Sequence, residues 1–160
     1  MEHKFKTIDC WVDEHRLLEL LSNKQHSFNL HSDFGNERLG RYSILGADPF
    51  LTFTSFKNEI VVNKKGKKIL KENTDPFTEM KLLLENYKIN INTELPFIGG
   101  AVGYFGYDNY SFLEDVSNDN IDDIKIPDAF WGFYDKVYIF DHKNKTIILS
   151  VINYDGNQKL

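Results

Sequence analysis

The stretch Pro96–Asp108, which reads PFIGGAVGYFGYD, constrains the fold most, because it places four glycines and four aromatic residues within thirteen positions. Its core alternates as a β-strand does, with Gly103 and Phe105 on one face and Tyr104 on the other. Glycine packs no side chain and loses the most backbone freedom on folding, so a strand that contains it needs a compensating contact. We therefore predict a central, bent strand, in which the missing Cβ atoms let a second backbone approach closely.

The four glycines do not match a phosphate-binding loop. A P-loop ends in Gly-Lys-Ser/Thr, and the dinucleotide fingerprint needs glycines at i, i+2 and i+5 before a helix. Gly99, Gly100, Gly103 and Gly106 fit neither pattern, and an acidic segment follows them. The sequence favours a structural strand, with a phosphate cradle as the weaker alternative.

Composition limits the classes of function that this chain can have. Its 160 residues, 41% of them hydrophobic, suffice for the core of a single domain spanning residues 1–160. A net charge of −5 without a basic face argues against nucleic-acid binding. No apolar run approaches the ~20 residues of a membrane span, and the N-terminus is too charged for a signal peptide. We expect a cytoplasmic protein that binds neither nucleic acid nor membrane.

Metal binding has little support in the sequence. Cys10 is the only cysteine, and the five histidines lack the spacing of a zinc site. The segment Asp108–Ile126 carries six carboxylates and one lysine, but Asp119, Asp122 and Asp123 lack the glycine and the terminal glutamate of a calcium loop. We predict no metal site, and we interpret the acidic segment as a surface loop or a flap that meets another domain.

Two helices are predicted from their capping residues. Asp13 precedes a short helix that ends near Asn23. Asp75 and Pro76 begin a second helix with the strongest start signal in the chain. The apolar faces are predicted to be Leu17, Leu20 and Leu21 in the first helix, and Phe77, Met80, Leu83, Leu84 and Tyr87 in the second.

Nine strand signals follow one another along the chain instead of alternating with helices. They are Ser27–Ser32, Arg41–Gly46, Phe50–Phe56, Ile60–Val62, Lys68–Leu70, the glycine-rich stretch, Ala129–Tyr134, Lys136–Phe140 and Thr146–Ile152. Consecutive strands with few helices are typical of an α+β fold. We predict α+β with a largely antiparallel, sandwich-like sheet and about two helices.

No motif of a known catalytic constellation is present. The sequence contains no G-x-S-x-G, no H-E-x-x-H and no cysteine beside a candidate base. His31 and His142 each have polar neighbours, and a lone histidine is more often structural than catalytic. We predict no catalytic residue in this chain.

Arg41 is the charged residue whose surroundings suggest a specific contact. No other charge occurs from Leu39 to Ala47, and a guanidinium in such a place forms a bidentate contact with a carboxylate. That carboxylate belongs either to a ligand or to Asp33, Glu37 or Asp48, and the sequence slightly favours the structural pair.

Five ordered motifs, none of them specific alone, are specific in combination. In chain order they are Leu30-His31-Ser32, Gly40-Arg41-Tyr42-Ser43-Ile44, Ala47-Asp48-Pro49, Gly99-Gly100-x-x-Gly103-Tyr104-x-x-Tyr107-Asp108 and Pro127-Asp128-Ala129. Together with Phe140-Asp141-His142 they resemble the N-terminal region of component I of the anthranilate and aminodeoxychorismate synthases. The resemblance covers about residues 5 to 155.

The resemblance implies a partner-dependent enzyme that aminates chorismate with ammonia from a glutamine amidotransferase subunit. In that family the chorismate and magnesium ligands belong to a C-terminal chorismate-binding domain, which has no counterpart in these 160 residues. The implied chain is therefore inactive alone, needs no cofactor of its own, and has that domain and the amidotransferase as partners.

The resemblance also implies a tryptophan pocket in this region, matching Ser32, Leu39, Gly40, Arg41 and Tyr42. A hydroxyl, backbone amides and an apolar slot suit an amino-acid ligand. Feedback-sensitive anthranilate synthases carry glutamate where His31 stands, so the aminodeoxychorismate branch, which leads to para-aminobenzoate and folate, is favoured. The alternatives are anthranilate synthase of tryptophan biosynthesis, a free-standing amino-acid-binding regulatory module, and a structural β-rich domain without a ligand.

Overall fold

The computed structural model describes residues 2–31, 40–115 and 124–154. Within these ranges it has ten strands, two α-helices and one 3-10 helix, Tyr107–Phe112. The other elements are β1 (Glu2–Ile8), α1 (Glu14–Ser22), β2 (Phe28–Leu30), β3 (Tyr42–Gly46), β4 (Leu51–Phe56), β5 (Glu59–Lys64), β6 (Lys67–Glu72), α2 (Pro76–Asn86), β7 (Gly100–Phe105), β8 (Ala129–Tyr134), β9 (Lys136–Asp141) and β10 (Thr146–Asn153). The predicted α+β class with largely antiparallel sheets and two α-helices is confirmed.

The chain forms two compact units, each built from separate segments of the sequence. The first unit contains Met1–Pro49, Ile89–Gly100 and Phe133–Leu160, and the second contains Phe50–Lys88 and Ala101–Gly132. The interpretation of residues 1–160 as one domain stays a prediction.

The sheet of the first unit has the strand order β1-β10-β9-β3-β2, and each neighbouring pair is antiparallel. β9 and β10 form a hairpin, and β3 pairs with the other side of β9, with Ile44 opposite Ile139. Leu45 and Ile139 are fully buried. The sheet thus brings the start of β3 beside the end of β9.

Helix α1 begins as predicted, because the carboxylate of Asp13 accepts a hydrogen bond from the backbone amide of His15. Its buried stripe differs from the prediction in one residue: Leu20 is 70% exposed. The leucines Leu17, Leu18 and Leu21 pack instead against Leu45, Phe140 and Ile147 of the sheet. A stripe at i, i+3, i+4 and i+7 that contains these leucines starts at Glu14, so the helix period itself places a carboxylate on the buried face.

The second sheet has the order β6-β5-β4-β8-β7. β4 lies in its middle, and Leu51, Phe53 and Ser55 of that strand are buried at alternate positions. Helix α2 begins at Pro76, and Asp75 accepts hydrogen bonds from the amides of Phe77 and Thr78, as its start signal predicts.

The predicted stripe of α2 is only partly correct. Met80 is buried, but Leu84 is 47% exposed. The glutamate Glu79 of the helix forms an ion pair with Lys71 of β6.

The glycine-rich strand β7 is an edge strand, so the prediction of a central strand is wrong. The predicted close approach of a second backbone is confirmed. A Cβ atom added to Gly103 would lie 2.0 Å from the carbonyl oxygen of Phe130 in β8 and 2.6 Å from the Cα of Trp131. Gly106 donates a hydrogen bond to the carbonyl of Asp128 at 2.6 Å. Gly103 and Gly106 therefore allow close contact with β8 and the residue before it, whereas Gly99 lies against Ile152 and the carbonyl of Tyr134.

β1 was not predicted from the sequence, and the considered calcium loop lies outside the described residues. β1 has no strand signal, because its residues are mostly polar and exposed, and it is nonetheless paired along its whole length with β10. Asp119, Asp122 and Asp123, considered above as a calcium loop, lie outside the described residues.

Gly103→Ala tests the close approach of β7 to β8. The added methyl group would overlap the backbone of Phe130, so we expect a loss of about 2–3 kcal/mol in the free energy of unfolding, measured by urea denaturation. Gly66→Ala is the control, because its added methyl group meets open space, and only its positive φ costs about 1 kcal/mol. Equal losses of unfolding free energy in the two variants would show that the backbone of β8 can shift at little cost.

Candidate functional site

The end of β9 and the start of β3 bring together residues that are about 100 positions apart in the sequence. Tyr42 lies opposite Asp141 in the strand register. The backbone amide of His142 extends the pairing by donating to the carbonyl of Arg41 at 2.8 Å. Side chains of these residues therefore meet at one corner of the first sheet.

The Arg41 guanidinium and the Asp141 carboxylate form a bidentate ion pair. Nη2 of Arg41 lies 2.8 Å from Oδ2 of Asp141, and Nε lies 3.2 Å from both carboxylate oxygens. Asp141 is only 3% exposed, and it also accepts hydrogen bonds from the backbone amides of Lys143 and Asn144, each at 3.1 Å, and from the Asn144 side chain. One carboxylate thus closes the β9–β10 turn and holds Arg41.

The bidentate contact predicted for Arg41 is confirmed, and the carboxylate that makes it belongs to the protein. Of the partners considered from the sequence, Asp33 and Glu37 lie outside the described residues. Asp48 binds elsewhere, to the backbone amide of Gln25 and near Lys24. The observed partner could not be found by proximity in the sequence, because only the pairing of β3 with β9 creates it.

The ion pair shifts the pKa of both members. Burial alone would raise the pKa of the Asp141 carboxyl, but the hydrogen bonds from Arg41, Asn144 and Lys143 outweigh burial and lower it. The hydrogen bond to Asp141 raises the pKa of Arg41 above its already high value. The pair is therefore charged at neutral pH.

Tyr42 lies against this pair. The central carbon of the Arg41 guanidinium is 4.7 Å from the centre of the Tyr42 ring, a distance at which a cation is attracted by the aromatic face. Burial, and secondly the charge of Asp141, raise the pKa of the Tyr42 hydroxyl. Tyr42 therefore stays neutral and presents an uncharged aromatic face.

Beside the ion pair lies a polar cluster, formed by Glu14, His31, Ser43 and His142. The Ser43 hydroxyl is 2.7 Å from Nε2 of His142 and 3.2 Å from Nδ1 of His31. One carboxylate oxygen of Glu14 contacts Nδ1 of His31, and the other lies 3.4 Å from Nε2 of His142. Glu14 is 6% exposed and Ser43 is fully buried. α1, the end of β2, β3 and the end of β9 each supply one member.

The Ser43 hydroxyl connects the two imidazoles of the polar cluster. A hydroxyl can donate one hydrogen bond and accept others, so Ser43 can bridge Nε2 of His142 and Nδ1 of His31. Neither oxygen of Glu14 has a hydrogen bond of good geometry among the described residues. The carboxylate therefore lies close to both imidazoles without a well-formed hydrogen bond from either.

The polar cluster does not have the geometry of a nucleophilic triad. In a triad the carboxylate holds the ring nitrogen opposite the one that faces the hydroxyl. Here Glu14 and Ser43 both face Nε2 of His142. Ser43 is also fully buried, so its hydroxyl cannot reach a substrate. The geometry supports a structural or ligand-orienting role.

Trp11 packs beside the polar cluster. Its ring meets those of Phe140 and His142 edge-on at centroid distances of 5.7 and 5.8 Å. The ammonium group of Lys145 lies 4.9 Å from the centre of the indole ring. Trp11 therefore covers the end of β9 next to His142.

The sequence-predicted tryptophan pocket is described only in part. Gly40, Arg41 and Tyr42 are within the described residues, whereas Ser32 and Leu39 are outside them. β2 pairs with β3, and Leu30 lies opposite Ile44, so the two predicted segments start from neighbouring strands, as expected. The assignment of these five residues to a ligand stays a prediction.

Sequence reasoning missed how Glu14, Ser43, Asp141 and His142 meet at this corner. A signal existed for Glu14, because it continues the leucine stripe of α1 by one position. Asp141 and His142 stand within a motif of the resemblance, but their contacts depend on strand order, which no local pattern reveals.

The described residues offer no alternative centre with metal-binding chemistry. Within residues 2–31, 40–115 and 124–154, no group of three or more His, Cys, Asp or Glu side chains has the geometry to hold a metal ion. Cys10 is exposed and unpaired. None of the described helices has the length and apolar character needed to cross a membrane.

Comparisons with known proteins agree with the motif resemblance. No family model matches the chain. The chain is 33% identical over 156 residues to anthranilate synthase component 1 of Acetivibrio thermocellus, which covers 94% of the chain and 32% of that protein. It is 34% identical over 131 residues to aminodeoxychorismate synthase component 1 of Escherichia coli, which covers 81% of the chain and 29% of that protein.

A solved structure shows the same relationship. The crystal structure of anthranilate synthase component I from Streptococcus pneumoniae matches with a TM-score of 0.60 and 28% identity, over 81% of this chain and 28% of that one. The chain spans about a third of the length of the curated relatives that it matches.

Fold and motifs thus define a relative of the first components of two-component synthases. Its homologues are component I of anthranilate synthase and component I of aminodeoxychorismate synthase.

Asp141→Asn tests the ion pair. We expect a loss of about 2 kcal/mol in the free energy of unfolding at pH 7, because a charge-assisted contact with Arg41 is lost. A carboxyl whose pKa is lower in the folded than in the unfolded state stabilises the fold when the pH is above its unfolded-state pKa. That stabilisation is lost as the pH falls through its folded-state pKa. The native chain should therefore lose stability as the pH falls below the ordinary aspartate pKa of 3.8, and the variant should lose less.

Urea denaturation at several pH values measures both effects. Asp48→Asn is the matched control, because Asp48 is a half-exposed carboxylate whose contact with Lys24 is 3.7 Å long. The same acid dependence in Asp141→Asn and in the native chain would contradict the role given to Asp141.

Proposed function

We propose that this chain is the non-catalytic N-terminal domain of aminodeoxychorismate synthase component I, acting in the amination of chorismate toward para-aminobenzoate and folate in the cytoplasm. The observation that carries the proposal is the pattern of coverage. The similarity extends over 81–94% of this chain but over only 29–32% of the relatives. Similarity confined to one region of larger enzymes supports the role of one domain of such an enzyme.

The proposal assigns the reaction chemistry to partners. A C-terminal chorismate-binding domain would hold chorismate and magnesium, and a glutamine amidotransferase subunit would supply ammonia. The described residues are consistent with this division, because the polar cluster keeps its serine buried and its carboxylate against imidazoles.

The choice of branch rests on His31. Sequence identity does not separate the branches, since it is 33% to an anthranilate synthase and 34% to an aminodeoxychorismate synthase. His31 contacts the buried carboxylate of Glu14. A glutamate at position 31 would place a second carboxylate beside Glu14, and two like charges at such a short distance repel each other. The polar cluster thus favours histidine, the residue that is typical of the aminodeoxychorismate branch.

Anthranilate synthase component I is the alternative function. Its specific support is that the anthranilate synthase relative matches 94% of the chain, against 81% for the aminodeoxychorismate relative. A free-standing amino-acid-binding module is a further alternative.

We propose a weak site for tryptophan or a similar aromatic amino acid at Ser32, Leu39, Gly40, Arg41 and Tyr42. Three observations on neighbouring residues support it. Leu30 is 46% exposed at the end of β2, where an indole ring needs an apolar wall. Tyr42 offers an uncharged ring at the start of the neighbouring strand β3. The Arg41 guanidinium is held by Asp141, so a ligand carboxylate would bind backbone amides and the Ser32 hydroxyl instead.

Two chimeric enzymes test the proposed function. Residues 1–154 replace the matching region of Escherichia coli aminodeoxychorismate synthase component 1 in one chimera and of Acetivibrio thermocellus anthranilate synthase component 1 in the other. Each chimera is incubated with chorismate, glutamine amidotransferase and magnesium, and the product is measured by chromatography. We expect turnover only in the aminodeoxychorismate chimera. The chain alone should form no product, because the proposed chemistry belongs to its partners.

Controls keep this experiment interpretable. Each chimera is checked for folding by circular dichroism, and the parent enzymes are assayed beside them. Turnover only in the anthranilate chimera would transfer the chain to the other branch. Product formation by the isolated chain would refute its non-catalytic role.

Tryptophan titration tests the proposed ligand site. We expect a dissociation constant of about 1 mM or weaker, which corresponds to on the order of 4 kcal/mol, because in the proposed enzyme the C-terminal domain would contribute part of the pocket. Ser32→Ala should weaken binding by about 1 kcal/mol through a lost hydrogen bond. Ser22→Ala is the control, because the Ser22 hydroxyl bonds only within α1, to Glu19.

Chemical-shift changes in nuclear magnetic resonance spectra locate the residues that tryptophan contacts. Shifts at Leu30, Arg41 and Tyr42 are expected. Shifts confined to Asp108–Ile126 would contradict the site and return attention to the acidic segment. Submillimolar binding would instead favour the free-standing amino-acid-binding module.

A further inference from the structure

The two sheets have four edge strands, and three of them carry features that discourage pairing with another chain. β1 has Glu2, Lys4 and Lys6 along its length, and β6 has four charged residues among six. β2 is only three residues long. Charged side chains and short length are the usual protection of a sheet edge.

β7 is the edge strand without such protection. Its sequence, GAVGYF, contains no charged residue and no proline over six positions. Among the described residues β7 pairs only with β8, on one side. Its outer side therefore presents a row of backbone donors and acceptors with apolar neighbours.

Large apolar side chains are exposed in the segments that follow this strand. Tyr107 is 88% exposed, Leu113 70% and Ile124 72%. Buried Asn109 joins the 3-10 helix to the segment before β8, since its side-chain amide donates to the carbonyls of Gly106 and Asp128 at 3.1 and 2.6 Å. These hydrogen bonds hold the 3-10 helix that begins at Tyr107, two positions after the end of β7.

We propose that β7 pairs with β7 of a second copy of this chain, in an antiparallel manner about a two-fold axis, and that the exposed ring of Tyr107 packs against the second copy. The two second sheets then form one continuous ten-stranded sheet across the dimer. This inference is independent of the proposed function, because it uses only strand order, charge and exposure.

A second copy fits this edge for two reasons. An uncharged strand meets no opposing like charge when it faces itself, whereas like charges directly opposite each other would destabilise the pair. A two-fold axis also uses the same patch on both copies and closes the assembly at two. The other end of this sheet is β6, whose Lys67, Lys68, Lys71 and Glu72 oppose further growth into a fibre.

Tyr104→Lys tests the proposal, because it places a charge on β7. Light scattering with size-exclusion chromatography of the full chain, over a concentration series, should show a monomer–dimer equilibrium. We expect a dissociation constant of about 10–100 μM, as for a small interface. The lysine variant should weaken dimerisation at least about tenfold. Ile69→Lys is the matched control, since Ile69 is 58% exposed on the already charged β6, and it should leave the equilibrium within about twofold.

If Tyr104→Lys unfolds, hydrogen exchange of the native chain tests the same proposal without a substitution. Amides of residues 100–105 should gain protection as concentration rises, while those of β6 should not change. A monomer at all concentrations, or a dimer whose protection appears at β1 or β6, would overturn the proposal. Equal effects of Tyr104→Lys and Ile69→Lys would also overturn it.

Discussion

The architecture of the candidate site depends on the carboxylate of Asp141. This side chain is almost fully buried, and it holds the Arg41 guanidinium, two backbone amides of the following turn and the Asn144 side chain. A buried charge with so many donors has one favourable position, because each lost contact would leave it uncompensated. The carboxylate therefore fixes the end of β9 against the start of β3, and the positions of Tyr42, Ser43 and His142 follow from that.

The polar cluster arises from a conflict between helix period and residue type. The buried stripe of α1 begins at Glu14, and its carboxylate lies beside the imidazoles of His31 and His142, which the Ser43 hydroxyl contacts in turn. These contacts connect α1 to the segments of β2, β3 and β9 that carry the other three residues. A change at position 31 therefore also changes the surroundings of the Glu14 carboxylate.

The sequence was sufficient for features that depend on neighbours along the chain. Both helix caps, the extent of β8 and the hairpin of β9 and β10 follow from local residue types. The sequence was insufficient for features that depend on which strands pair with each other. Gly103 signals a close backbone approach, but not that β7 lies at an edge. Arg41 signals a carboxylate partner, but Asp141 becomes its neighbour only through the order of the strands, and β1 lacks the apolar alternation by which strands are recognised.

The interleaving of the two units governs the order in which a growing polypeptide can acquire its structure. Glu2 of β1 pairs with Asn153 of β10, and β3 pairs with β9. The first unit therefore cannot complete its sheet until residue 153 has left the ribosome, whereas the segments of the second unit end at Gly132. Contacts between residues so distant in sequence slow folding, because a long loop must close before they form. During synthesis the leucines of α1 remain without their partners Phe140 and Ile147 until those residues emerge, and exposed apolar surface of this kind favours aggregation.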